Sequence, residues 1–190
     1  MENIYVLLAE NRNLETERLL LRPVTLDDAE VMYAYASDEE TTRYVFPTHT
    51  SLEGTKSTIA QYFLQYPLGC FGIELKSEKK LIGTISLMEI KQDIRKAELG
   101  YCLSKEYWNK GYATETLSAL LKLAFEVLSL NAVTARFDRD NLASGRVMEK
   151  AGMRFSHEEP YAMMDRKVEG RIVTLVHYLL TKENYKRNNR

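Results

Sequence analysis

The chain runs Ala97-Glu98-Leu99-Gly100-Tyr101-Cys102-Leu103-Ser104, then Lys105-Glu106-Tyr107-Trp108-Asn109-Lys110-Gly111-Tyr112-Ala113-Thr114-Glu115, then into a long apolar-periodic run. Ala97, Leu99, Tyr101 and Leu103 alternate, as on one face of a strand. Beyond Gly111, the positions Ala113, Leu117, Leu120, Leu121, Ala124 and Leu128 recur at helical spacing. The reading is strand, glycine-containing turn, helix. Neither the G-x-x-x-x-G-K-[ST] phosphate loop nor the G-x-G-x-x-G dinucleotide pattern fits the turn. It nonetheless sets free backbone N–H groups at the start of a long helix, where an anion is stabilised by unpaired donors and by the helix dipole. Gly111 has no Cβ, so a ligand can approach its backbone. Lys110 adds a positive charge beside it. Glu115 suits the helix start but repels an anion, so it is expected to point away.

Working outward, Arg18 to Val24 reads as a strand, and Thr25 as the N-cap of a helix from Leu26 to Ser37 with Asp27 and Asp28 in its first turn. A loop from Arg43 to Thr50 precedes a second helix that Ser51 caps and Pro67 and Gly69 end. Three strands follow, Cys70–Lys76, Leu81–Ile90 and Arg95–Leu103, with polar turns between them. After the long helix come a strand Ala132–Asp138, a helix capped by Asn141 and closed at Gly152, and a closing antiparallel pair, Met153–Pro160 and Gly170–Thr181. Residues 1–14 are expected to form an extra strand or short helix, and the polar tail 184–190 to fray. Gly100, inside a good strand, marks a bulge or a close approach of backbone. The order β-α-α-β-β-β-α-β-α-β-β predicts a mixed sheet with helices on both faces, an α/β or α+β fold.

A chain of 190 residues is most simply one domain, 1–190. Its 45% apolar and 28% charged content is that of a globular protein. The formal net charge of -1 supplies no global field for nucleic acid, so any anion site is local. No apolar run reaches membrane-spanning length and no leader peptide is evident. Cys70 and Cys102 sit in apolar runs, as buried thiols do in a reducing compartment, so a cytoplasmic protein is expected.

Tyr107-Trp108-Asn109-Lys110-Gly111-Tyr112-Ala113-Thr114-Glu115 closely resembles the diphosphate loop of the GCN5-related N-acetyltransferase (GNAT) superfamily. The subgroup it looks most like includes the ribosomal-protein N-terminal acetyltransferases. The similarity starts at Thr16-Glu17-Arg18-Leu19-Leu20-Leu21-Arg22-Pro23. It continues through Leu81-Ile82-Gly83-Thr84-Ile85, Glu98-Leu99-Gly100-Tyr101 and Asp140-Asn141-Leu142-Ala143-Ser144, and ends at Glu149-Lys150-Ala151-Gly152-Met153-Arg154-Phe155. Five pieces besides the loop, in family order and spacing, make it specific. The resemblance implies an acyl-CoA N-acyltransferase fold whose central sheet splays into a V between the strand ending near Leu103 and the strand Ala132–Asp138. It implies acetyl-CoA as co-substrate, no metal, and transfer of acetyl to a primary amine. The acceptor classes it brings are a protein N-terminus, a polyamine and a small-molecule amine. A non-catalytic acyl-CoA-binding or sensing domain of the same fold is the alternative. Partners expected are acetyl-CoA and an amine, with a homodimer allowed for, and neither nucleic acid nor membrane.

Residue by residue, the resemblance places the pantetheine arm on the backbone of Tyr101, Cys102 and Leu103. It places the diphosphate on the loop Trp108, Asn109, Lys110, Gly111, Tyr112, Ala113 and Thr114. Asn109 stands where the subgroup has Gly. Asn141 is implied to touch the pantetheine and Ser144 the sulfur, helping to protonate the leaving thiolate; helix capping is the commonest role for such residues and is compatible with both. Met148 replaces the tyrosine general acid of many members and has no proton to give. Amine acetylation needs a neutral nitrogen, and Glu98 is the leading candidate base, with His157 and Glu158 behind it. Backbone N–H groups near Cys102 and Leu103 are implied to polarise the thioester carbonyl. Cys102 as a nucleophile is disfavoured by its apolar surroundings. Tyr44, Phe46 and His49, with the second helix and the turn around Asp165, are expected to form the acceptor side.

Overall fold

The computed structural model describes residues 2–189. Its elements in chain order are α1 (Ile4–Glu10), β1 (Leu14–Glu15), β2 (Leu19–Arg22), α2 (Ala29–Ala36), α3 (Glu39–Thr42), α4 (Leu52–Thr58), β3 (Cys70–Leu75), β4 (Lys80–Lys91), β5 (Lys96–Leu103), α5 (Tyr112–Lys122), β6 (Ala132–Asp138), α6 (Leu142–Lys150), β7 (Arg154–Met164), β8 (Ile172–Thr181) and α7 (Lys182–Asn188). Wider π-type turns extend α4 over Ile59–Leu64 and α5 over Leu123–Val127. The expected order runs through this intact, with α1, β1, α3 and α7 added. Residues 4–15 supply both a short helix and a short strand. The tail, expected to fray, is instead α7: Thr181 Oγ1 accepts from the Asn184 amide, and Tyr185 stacks on Phe125 with ring centroids 4.8 Å apart.

The eight strands form one sheet, ordered β1-β2-β3-β4-β5-β6-β8-β7. The alternation of side chains sends one set to each face. One set packs with Ile4 and Leu8 of α1 and with Leu117, Leu120 and Leu121 of α5, and includes Leu19, Leu21, Phe71, Ile73, Leu99 and Val133. The other joins Leu81 and Cys102 to Met32 and Tyr35 of α2 and to Ile59 and Phe63 of the α4 extension. The sheet is thus sandwiched between helices on both faces, as the mixed order requires.

Its central joint is incomplete. The parallel pairing of β5 with β6 runs from Lys96↔Ala132 to Leu99↔Ala135 and stops there. Each strand keeps its outer partner beyond that point: β5 pairs with β4 as far as Leu103↔Gly83, and β6 with β8 as far as Asp138↔Leu175. The end of β6 is drawn away from β5 by its other contacts. Phe137 packs on Tyr178 at 5.6 Å between centroids and sits under Gly145, where a Cβ would come within 2.7 Å of the ring. Only glycine lets α6 lie this close. The strands therefore diverge in a V. Gly100 does not mark a bulge: it pairs in register with Ser86, and the irregularity falls between Met88 and Lys91 of β4, where Glu89 has φ 49°. Nor does backbone approach it closely: a Cβ on Gly100 would meet only the Met88 methyl, at 2.8 Å, the movable end of a side chain.

Candidate active site

A cavity of about 1040 Å³ occupies the V and is lined by the ends of β5 and β6, the starts of α5 and α6, and the loop after α3. Its first component is backbone. In an antiparallel pair, successive residues turn their N–H and C=O groups alternately toward and away from the partner. The Ser104 amide donates to the Ile82 carbonyl at 2.8 Å, which puts the even-numbered residues of β5 toward β4. The groups of Tyr101 and Leu103 therefore point into the V. Trp108 Nε1–H donates to the Leu103 carbonyl at 2.6 Å. The Tyr101 amide and carbonyl and the Leu103 amide are left facing the gap. The Cys102 amide faces β4, which corrects the expectation that it helps polarise a carbonyl in the gap.

The second component is the loop before α5. Asn109 and Gly111 both take the left-handed region, φ 60° and 83°, and Gly111 is the N-cap of α5. Asparagine tolerates this conformation better than other residues with a Cβ, so it stands in for glycine at position 109. The amides of Tyr112, Ala113 and Thr114 have no partner within the helix. Two residues hold the loop in place. Arg18 donates to the Lys110 carbonyl at 3.0 Å and lies over the Tyr112 ring at 4.4 Å. Glu115 points away from the cavity, as expected. It accepts from Thr16 Oγ1 at 2.6 Å, the Arg18 amide at 2.9 Å and Arg18 Nε at 2.7 Å. Burial works to raise the Glu115 pKa, but the bonds from Thr16 and Arg18 outweigh it and hold the carboxyl below its ordinary range. The Lys110 side chain lies over the Tyr107 ring at 5.3 Å, outside the lining.

The third component stands at the α6 end. Asn141 caps the helix, accepting from the Ser144 amide at 3.3 Å. Ser144 Oγ meets the Tyr101 phenol at 3.1 Å across the V. Burial pushes the phenol pKa up to about 12. Met148 is buried and lies one turn further along α6. Cys102 is 3% exposed, and burial pushes its pKa up to about 12, so the thiol stays protonated and inert.

On the opposite face Glu98 lines the cavity, with its Oε1 3.0 Å from Arg136 Nε. Tyr44 and Phe46 line the same end. His49 does not: its Nδ1 pairs with Thr55 Oγ1 at 2.8 Å, and burial lowers its pKa. His157 and Glu158 also lie outside the lining; His157 stacks on His177 at 4.3 Å, and Glu158 pairs with Arg139. The turn between β7 and β8 closes over the Tyr44 loop. Arg166 donates to the Val45 carbonyl at 2.9 Å, and Lys167 Nζ to Thr42 Oγ1 and Thr48 Oγ1 at 2.8 Å each. Behind it, Arg171 gathers Asp138, Asp140 and Asp165.

Sequence reasoning missed three contributors. Arg18 sits in a quoted family segment, but nothing local links it to a loop 92 residues away. Arg136 carries no pattern of its own. Tyr101 was singled out for its backbone and not its phenol; its place on the same strand face as Leu99 was the available signal.

This geometry has counterparts. The profile of a family described as "Acetyltransferase (GNAT) domain" matches residues 18–154. A Bacillus subtilis protein called "Uncharacterized N-acetyltransferase YoaA" is 38% identical over 143 residues, covering 73% of this chain and 81% of that one. The "Uncharacterized N-acetyltransferase p20" of Bacillus licheniformis is 30% identical over 177 residues, covering 90% and 97%. The crystal structure of a GNAT-family acetyltransferase from Bacillus anthracis superposes with a TM-score of 0.81 at 27% identity, covering 90% of this chain and 99% of that one.

Proposed function

The chain belongs to the GNAT acetyltransferase family and is an N-acetyltransferase, and from that premise we propose that it moves the acetyl group of acetyl-CoA directly onto a primary amine. The acceptor is a protein N-terminus, a polyamine or a small-molecule amine, and it enters from the Tyr44 and Phe46 end. The observation that carries this reading is the V. One row of free backbone groups, at Tyr101 and Leu103, runs toward a second set of free amides at the start of α5. A pantetheine arm is an extended chain of amides and pairs with the first set. A diphosphate suits the second. Gly111 fits the same assignment, because its bare backbone at φ 83° is a conformation in which a side chain would be strained.

The two faces of β5 then divide the chemistry. Glu98 stands on the acceptor face, fixed in direction by Arg136, and takes the proton from the incoming amine directly or through one water. Ser144 stands on the other face, where the sulfur departs. The Tyr101 amide, nearer Glu98 along β5, is the donor placed to stabilise charge on the acyl oxygen, which leaves the Leu103 amide to the pantetheine. Cys102 is protonated and buried, which favours direct transfer over an acyl-enzyme. Positioning amine and thioester in one gap supplies much of the acceleration. Both thiols are free, and among the described residues no helix is long and apolar enough to cross a membrane; we assign the protein to the cytoplasm on the strength of the thiols.

The test follows free thiol released from acetyl-CoA, with and without spermidine, a short peptide with a free N-terminus, and simple alkylamines. Amine-dependent release is the expected result. A rise in melting temperature with CoA but no turnover with any amine would instead mark a domain that binds the thioester and does not react it.

A further inference from the structure

Breaking a thioester leaves an electron pair on sulfur, and the thiolate needs a proton. Met148 has none to give. Ser144 has a hydroxyl, but a serine that gives up its proton must be resupplied. Among the described residues, Tyr101 is the phenol within hydrogen-bond reach of Ser144, at 3.1 Å, and it lines the cavity from the opposite wall. β5 carries Tyr101 toward α6 because it shares a face with Leu99, and the open end of the V leaves its hydroxyl free of β6.

We propose that the Tyr101 phenol is the proton source for the departing thiolate and delivers through the Ser144 hydroxyl, an inference that rests on the transfer reaction proposed above. As the amine nitrogen bonds to the acyl carbon, the carbon–sulfur bond breaks and its electron pair stays on sulfur. The Ser144 O–H proton passes to sulfur, and the Tyr101 O–H proton passes to Ser144 Oγ. The amine's surplus proton leaves through Glu98 to solvent, and solvent returns one to the phenolate, so the site ends as it began. Burial keeps the phenol protonated, with a pKa of about 12, so the donor is loaded throughout the neutral range. Because Tyr101 acts through another residue, its role is to supply and position a proton, and a structural tyrosine at the same place predicts different kinetics.

Two variants separate the roles, assayed with acetyl-CoA and whichever of spermidine, the short peptide and the alkylamines the unaltered protein turns over fastest. Tyr101→Phe keeps the ring and loses the proton. Its kcat is expected to fall by about 100-fold, the usual contribution of a positioned acid, with little change in the KM for acetyl-CoA. The second variant carries 3,5-difluorotyrosine at position 101, which keeps ring and hydroxyl but ionises at lower pH. Its alkaline fall in kcat is expected at lower pH than in the unaltered protein. Undiminished kcat in Tyr101→Phe, or an unmoved pH profile in the difluoro protein, overturns the relay while leaving the transfer reaction standing. No thiol release by the unaltered protein with any amine overturns the transfer reaction, and the relay with it.

Discussion

Two single residues test the energetic account from opposite sides. Gly111 sits at φ 83°, and a Cβ there would also lie 3.3 Å from the Arg18 guanidinium. Gly111→Val is expected to cost about 1–3 kcal/mol of backbone strain and to tilt the first amides of α5 out of line. Affinity for CoA should fall at least about tenfold, equivalent to about 1.4 kcal/mol, in a calorimetric titration. Unchanged affinity would mean that the diphosphate lies elsewhere. Thr116 is the converse case. Its side chain is 1% exposed, and its hydroxyl has no hydrogen-bond partner among the described residues. A buried, unpaired hydroxyl is a net cost, and valine has nearly the same shape and helix propensity. Thr116→Val is expected to stabilise by about 1 kcal/mol and raise the melting temperature by about 2–4 °C. A loss of stability would show that the hydroxyl has a partner, such as water.

At the scale of the elements, α5 is positioned at both ends. Its start is tied to the β1–β2 segment by Glu115, Thr16 and Arg18. Its far end is closed by Arg95, which is 8% exposed and donates to the Leu128 carbonyl at 2.5 Å and the Ser129 carbonyl at 3.1 Å. A cation on the last carbonyls of a helix satisfies orphan acceptors and opposes the dipole. Arg95→Ala is expected to cost about 2 kcal/mol, read as a fall of about 4–8 °C in melting temperature. A change of less than a degree would mean that water replaces the guanidinium at no cost. These elements also show what a sequence displays and what it hides. The apolar period of Leu117, Leu120 and Leu121 placed α5 correctly, because one helix face sees one core. The caps at Thr25, Ser51 and Asn141 were legible because capping is local. The divergence of β5 from β6 enters through the family resemblance, and the one local hint, Gly100, pairs in register with Ser86 instead; alternation says which face a side chain takes and not where a ladder ends. The helix α7 is hidden from the sequence because its polar run has no period of its own and depends on Tyr185 meeting Phe125. His49 lies outside the cavity lining and pairs with Thr55 on the following helix, a contact that no local pattern displays.

Across the whole molecule, carboxylates held in the ionised form set the acid limit. Asp28 is bound by the Arg22 guanidinium and the Thr25 amide, and Glu115 by Thr16 and Arg18; burial opposes ionisation in both, and the hydrogen bonds prevail, so both pKa values lie below normal. The Lys105 ammonium, followed by the Thr41 amide, holds Asp38 at about 2. A carboxyl with a depressed folded-state pKa lends stability that is present above its unfolded-state value, about 4, and that disappears as pH falls through the folded value. Melting temperature should therefore begin to slip below about pH 6.5, where the unfolded-state His49 takes up a proton that burial resists in the fold, and decline more steeply below about pH 4 as the carboxylates protonate. Glu115→Gln should be less stable than the unaltered protein at pH 7 and should lose less of its stability on acidification. Parallel curves would show that Glu115 contributes nothing by its charge. The same charges bear on the site, because the Glu115–Arg18 pair anchors the loop that we propose holds the diphosphate. The measurement that bears most directly on the account is a crystal structure of the protein with CoA. The diphosphate oxygens should lie about 3 Å from the backbone nitrogens at the start of α5, with the pantetheine between β5 and β6 and the sulfur beside Ser144. A CoA molecule bound outside the V, or β5 and β6 paired along their full length in the complex, would contradict it.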